Sequence, residues 1–476
     1  MFEQLSGAVV LSLTVLSWGL AVTSLAYRRV VLNRAVAGGL VFLIGVAAIG
    51  VVTLVAGHLH LLVPRLPWLL LVVGMGLVAV ARRAVGPLVG ELRDGAVATW
   101  RGFPVLSVLV GLGLLLAFVA GIAEPQRTDE IEYHWPAPVA WAENGGWNAS
   151  PYRHVNAFPF MEVVYTAAAL LNSYVAAHWL HTFTLLGLGL CAAGIAHSVG
   201  SPSWVAPLGA ATMVMPVTWI QAFAAYNDTA AAAFSVAALA VLLSGRFSRE
   251  TVAMSAGLLV VAVSIKPTSI AAVGAIGVVA VLSALWRTYP LSTRRALASS
   301  LILGVVGLAT LAFWSVRQHV YTGFWLDPAM TAEPSADALT MLPDADDWKV
   351  MPFIPLISGV LGTAEPWGGR TSVLIQLLLV PALVVAVWLR GAVLKRFLVF
   401  FVAAYMHWLV LGLAIVRTRF HIMSWALFLV AIVVVMDALL ERFPRFQRYA
   451  RWCWTALVAV ALADVLRQTF QVIQTI

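Results

Sequence analysis

Apolar stretches of roughly twenty residues, separated by short polar or basic segments, recur along nearly the whole chain. They lie at about 6–26, 36–57, 66–81 and 103–123, then at about 175–197, 204–222, 227–245, 251–265, 268–286, 296–316, 371–389, 397–415, 420–440 and 452–472. About 20 apolar residues in a helix cross the ~30 Å hydrocarbon core of a bilayer. The pattern predicts an all-α, polytopic helical membrane protein with about 14 transmembrane helices. The two-residue alternation of a lipid-embedded barrel strand is missing from these runs.

Two long stretches interrupt the pattern, at 124–174 and 317–370, and both are acidic. Within the first, 158–172 is short for a crossing and carries Glu162, so it reads as a juxtamembrane helix lying along the outer face. The Gly- and Pro-containing region 84–102 reads as a cytoplasmic connector between a three-helix N-terminal unit (1–83) and a larger transmembrane core (103–476).

Composition narrows the class. With 62% hydrophobic and 11% charged residues, and a mean hydropathy of +0.93, the chain is no ordinary soluble enzyme. The net charge of +8 is dispersed between spans, which argues against a nucleic-acid partner. Cys191 and Cys453 both lie in apolar runs, so neither a disulfide framework nor a cysteine metal site is expected. The first run lacks a basic flank and a small-residue cleavage site, and reads as a retained helix. Arg outnumbers Lys 26 to 3, a bias associated with GC-rich bacterial genomes.

Sidedness follows from the positive-inside bias. With the loop after the first span in the cytoplasm, 19 of the 29 basic residues fall on that side. Both acidic stretches then face outward. The expected location is a bacterial plasma membrane, multi-pass, with the candidate chemistry outside the cytoplasm.

That chemistry centres on Arg127-Thr-Asp-Glu-Ile-Glu-Tyr-His-Trp135, directly after the run ending near Ala123. Acids at a membrane boundary are costly to place and commonly serve chemistry or ion handling. A carboxylate there can take a proton from an attacking hydroxyl, while cations opposite hold a departing phosphate. Asp129 is the leading base, although Thr128-Asp129 before Glu132 also resembles a helix cap. Glu130 and Glu162 are further acids, and for Glu162 a solvated helix face is an equal reading. Tyr133 and His134 would line the same site or pack at the interface. Trp135, Trp141 and Trp147 read first as headgroup-level belt residues. Asp228, after Asn227, reads as a helix cap before it reads as a ligand.

The candidate cations are Lys266, before Pro267, and Arg417 and Arg419, before His421; the two arginines break the positive-inside trend. For Lys266 the plain alternative is a lysine snorkelling from a helix end. Arg127, Arg153 and Arg317 are weaker candidates. His178 and His181 form an i,i+3 pair inside a span without a third metal ligand at readable spacing. Phosphate-loop, dinucleotide and nucleophile-elbow motifs are all missing.

These residues resemble the GT-C superfamily of polyprenyl-phosphate-sugar-dependent glycosyltransferases, in particular bacterial members akin to protein O-mannosyltransferases and the aminoarabinose transferase. The resemblance rests on Asp129-x-x-x-Tyr133-His134, Asn144-Gly-Gly146 and Phe158-Pro159-x-x-Glu162-x-x-Tyr165, followed by Asn227-Asp228, Ile265-Lys266 and Arg419-Phe420-His421. It covers about 103–440 and implies a GT-C-like catalytic core with outer-face juxtamembrane helices. It further implies inverting transfer of a sugar from a polyprenyl-phosphate donor to an extracytoplasmic hydroxyl, on a glycan, a lipid-linked saccharide or a protein. Asp129 would be the base, and Lys266, Arg417 and Arg419 the phosphate contacts. The chain departs from the family pattern in its three extra N-terminal helices and its missing soluble C-terminal domain. No cofactor is required by this reading, and three nearby carboxylates fit a divalent metal or its absence equally. The alternative is a transporter or flippase of lipid-linked sugar, which would concentrate ionisable groups near the bilayer midplane.

Overall fold

The computed structural model describes residues 1–149, 155–156, 158–323, 325, 373–412 and 418–474. All regular structure among them is helical. The long helices are α1 (Phe2–Tyr27), α2 (Arg34–His58), α3 (Leu66–Val80), α4 (Arg82–Gly102) and α5 (Pro104–Ala120). A π-helical turn (Glu130–His134), α6 (Pro136–Asn144) and α7 (Phe160–Ala169) lead to α8 (Tyr174–Ser198). Then come α9 (Val205–Met213), α10 (Pro216–Trp219), α11 (Asp228–Ser244), α12 (Arg249–Ile265) and α13 (Ile270–Leu285). The series closes with α14 (Thr293–Thr322), α15 (Val373–Leu389), α16 (Gly391–Gly412), α17 (Ile422–Arg442) and α18 (Gln447–Ile473).

Each of the apolar runs carries helix, and eight helices among the described residues are long and apolar enough to cross a bilayer. Counting the bent pair α3–α4 as one span raises that to nine. The chain is a multi-pass helical membrane protein. Helices α5 and α11, of 17 residues each, are shorter than that standard. The run 204–222 is split into α9 and α10, since Pro216 cannot donate the backbone bond that would join them.

Local chemistry sets the helix starts. Asn33, Ser173, Ser248 and Ser292 each accept a bond from the backbone N–H three residues on, opening α2, α8, α12 and α14. Asn33 also donates to Gly194 O (2.9 Å) and Ser244 Oγ (2.8 Å), tying α2 to α8 and α11. The connector expected over 84–102 is itself helical: α4 turns 90° from α3 and carries charged residues along one face, Arg34 pairing with Glu91. The first two helices pack on α8. Leu43 of α2 lies against Gly187 of α8, leaving no room there for a Cβ.

The centre of the molecule is α11, in which every residue from Asp228 to Leu243 is buried. Its alanines let α8, α12 and α17 approach closely, the usual device where lipid supplies no hydrophobic drive between helices. Glycine does the same between α1 and α2. A Cβ on Gly45 would meet the Val15 carbonyl oxygen at 2.1 Å. Because the obstacle is backbone, Gly45→Leu should force the two helices apart. A loss of about 1–3 kcal/mol, read as a lower unfolding temperature in detergent, is the expected result; an unchanged transition would mean that the α1–α2 crossing is looser than it looks.

Candidate functional site

One end of the bundle collects the polar groups. There α5 ends, α8 begins, α11 begins, α12 ends, α13 begins, α16 ends and α17 begins. The segment Ala225–Asp228 runs through the middle, with a cluster of acids and histidines on one side and a lysine pocket on the other.

In the first cluster the Glu130 carboxylate accepts from the Ala225 backbone N–H (2.7 Å) and faces His178 Nε2 (2.5 Å). His178 Nδ1 lies 2.8 Å from the Gly121 carbonyl, which can only accept, so one proton is left between Nε2 and Glu130. Both side chains are buried. Burial acts to raise the Glu130 pKa, but the charge and bond of His178 and the N–H groups of Ala225 and Gln126 outweigh it. The carboxyl is held below its ordinary value of 4.5.

Beside this pair, His134 Nδ1 lies 2.5 Å from Glu162 Oε1, both groups enclosed. Tyr165 donates to the Tyr226 carbonyl, so its oxygen accepts from His181 Nδ1 (3.0 Å). Burial first, then the nearby Glu162 and Glu130 charges, keep the Tyr165 phenol protonated well beyond its usual range. Glu162 Oε2 and His181 Nε2 remain buried without hydrogen-bond partners in the protein. Two acceptors so enclosed call for a donor, water or a substrate hydroxyl.

Across the 225–228 segment, Lys266 Nζ pairs with Asp228 Oδ1 and reaches Asn227 Oδ1 at 3.5 Å. Gln221 donates to Asp228 Oδ2 (3.3 Å). The ammonium lies 3.6 Å from the Phe420 ring centre, a cation–π contact. Asp228, Lys266, Thr268, His407, Phe420 and Met423 surround a small cavity of about 20 Å³. His407 is oriented by Ser424 (2.7 Å). The His134 and Tyr226 rings are 5.5 Å apart, so the first cluster also rests against the segment that separates it from the lysine pocket.

Several expectations change. The helix bearing Glu162 does not lie on a solvated surface: every residue from Phe160 to Ala168 is buried, because α7 packs on α2, α6 and α8. Asp228 is no cap; it sits in the first turn of α11 and serves Lys266, which removes the plain snorkelling reading of that lysine. Asp129 makes no side-chain capping bond, precedes the π-helical turn and is half-buried, while Glu132 is exposed. Trp141 and Trp147 are inside, bonded to Asn148 O and Leu54 O and stacked edge-to-face at 4.9 Å, so they are not belt residues. Tyr133 is half-buried and stacks on His134; His421 is buried against Trp408. Arg317 donates to Asn156 O (2.6 Å) and anchors that segment rather than the lysine pocket. Arg153, Arg417, the Arg419 side chain and most of the 317–370 stretch lie outside the described residues.

His178, His181, Gln221 and His407 were not singled out as site residues. The i,i+3 histidine pair near the start of an apolar span was the available signal, since an ionisable group inside a span is functional by default. Among the described residues no three His, Cys, Asp or Glu side chains converge as a metal ion requires. Glu130 and Glu162 each face a different histidine.

The Glu130 bonds make two measurements decisive. Glu130→Leu strands the Ala225 N–H and His178 and should cost about 3–5 kcal/mol. Because the folded-state pKa is depressed, the stabilisation is full above the ordinary carboxylate range and is lost as pH falls through the folded-state value. Acid unfolding in detergent should therefore steepen below about pH 4.5 in the wild type and be flatter in Glu130→Gln; parallel curves would count against the pairing.

No family model matches the chain, and neither a curated protein nor a solved structure matches it significantly.

Proposed function

We propose that this membrane protein is an inverting glycosyltransferase of GT-C type. It moves a sugar from a polyprenyl-phosphate donor to an extracytoplasmic hydroxyl on a glycan, a lipid-linked saccharide or a protein. The supporting observation is the meeting, through Ala225–Asp228, of the acidic segment after α5 with the Lys266–Phe420 pocket at one end of the bundle.

In this reading Glu130 is a positioning residue. Its oxygens are taken up by His178 and backbone N–H groups, which pins the turn that carries Asp129. Asp129, half-buried just before that turn, takes the proton of the acceptor hydroxyl. The acceptor oxygen then attacks the anomeric carbon, and the bond from that carbon to the phosphate oxygen breaks with its electron pair passing to the phosphate. Lys266 sits where it can meet the growing negative charge. Asp228 holds the ammonium in place before the donor arrives. Glu162, His134 and Tyr165 line the acceptor side. The cavity at Lys266 has room for about one water, so donor entry requires Phe420 to move.

The experiment is transfer of radiolabelled sugar from purified polyprenyl-phosphate donors by the protein in liposomes. Transfer to an added hydroxyl acceptor supports the reading. Translocation of the lipid-linked sugar without transfer would replace it with the flippase, for which the buried Glu130–His178 and Asp228–Lys266 pairs would serve as coupling groups.

A further inference from the structure

The opposite end of the bundle holds a second cavity, about 290 Å³, between the starts of α5 and α18. Phe103, Leu106, Arg448, Arg451, Trp452 and Thr455 are among its walls, and among the described residues no acid lines it. Arg451 stacks 5.3 Å from the Phe103 ring centre, which fixes its guanidinium at the cavity wall. Among the described residues neither Arg448 nor Arg451 forms an ion pair. Two uncompensated guanidiniums on a concave surface favour a phosphate, which arginine binds in a planar fork.

What continues from the cavity is apolar. Val105, Val108, Leu112 and Leu115 of α5 are all exposed. Their spacing of three and four residues draws one stripe up the helix from the cavity toward the bilayer interior. Trp452 on the wall, and Trp100, Phe446 and Tyr449 within a few residues of other wall positions in the chain, are exposed, and such aromatic side chains favour the headgroup level. A phosphate pocket that opens onto a lipid-facing stripe fits a molecule with a charged head and an acyl tail.

We infer that this cavity binds the headgroup of an anionic phospholipid, with Arg448 and Arg451 on the phosphate and an acyl chain along the α5 stripe. The positive-inside bias puts this end in the leaflet facing the cytoplasm, where basic pockets between spans meet anionic lipid. The inference does not depend on the transferase reading, because the two sites occupy opposite ends of the helices.

The test is native mass spectrometry of the full chain in detergent, titrated with phosphatidylglycerol or with phosphatidylcholine of the same acyl chains. Wild type should retain phosphatidylglycerol preferentially, and Arg448→Gln with Arg451→Gln should weaken that retention roughly tenfold to thirtyfold. Arg246→Gln, at the same end but away from the cavity, should leave it unchanged. If the double variant unfolds, Arg448→Gln alone, at an exposed position, should still weaken binding severalfold. Equal retention of the two lipids, or equal retention by wild type and variant, overturns the site. Displacement by millimolar inorganic phosphate with no contribution from the acyl chain overturns the lipid as its occupant.

Discussion

Asp129→Asn should leave the protein folded and inserted while lowering sugar transfer by about 10²–10⁴-fold, the usual contribution of a general base. An isosteric amide keeps the size and shape of this half-buried side chain, so it removes the charge at little steric cost to the turn. Its neighbour behaves differently, since Glu130 holds His178 and Ala225. Activity and unfolding temperature should therefore fall together in Glu130→Leu and separate in Asp129→Asn. The pair is read by measuring transfer and thermal unfolding on the same preparations. Full activity in Asp129→Asn would move the base role to Glu162, whose buried Oε2 awaits a donor.

The second large effect belongs to Lys266. Its side chain is 16% exposed and that of Asp228 only 3%, so Lys266→Met leaves an almost enclosed carboxylate without its ammonium partner. Removing one partner of such a pair costs about 3–5 kcal/mol, whereas replacing both with apolar groups is often neutral. Lys266→Met should lower the unfolding temperature by several degrees, and Lys266→Met with Asp228→Leu should regain most of it. Activity decides whether the lysine does more than pair. A double variant that is stable yet transfers no sugar supports contact with the donor phosphate; one that is stable and active would reduce Lys266 to a structural role.

Much of this was open to reading from the chain itself. Apolar runs appear as helices because a backbone in hydrocarbon must satisfy its own hydrogen bonds, and a helix does so with local contacts alone. The acidic segment stood out for a related reason: charge is rare in this composition, so its position is informative. Helix ends were legible where a side chain closes the first turn, as at Ser173 and Ser248.

The pairings were harder to see. Glu130 meets His178 and Ala225 across 48 and 95 residues of chain, and Asp228 meets Lys266 across 38. Nothing in local spacing encodes such partners. Glu162 illustrates the difficulty: a lone acid in a short apolar helix reads as a solvated face until α2, α6 and α8 are seen to enclose it. Trp141 and Trp147 misled for the same reason, because an aromatic near a span end has the same local signature at a headgroup or inside a fold.

The sequence by itself determined that this is a multi-pass helical membrane protein with its acids concentrated beside a few spans, since lipid solubility and backbone bonding depend only on composition and run length. Only the tertiary structure decided which acids are held by histidines, and that Lys266 faces Asp228 over Phe420. Those outcomes depend on how helix ends far apart in the chain come to lie side by side.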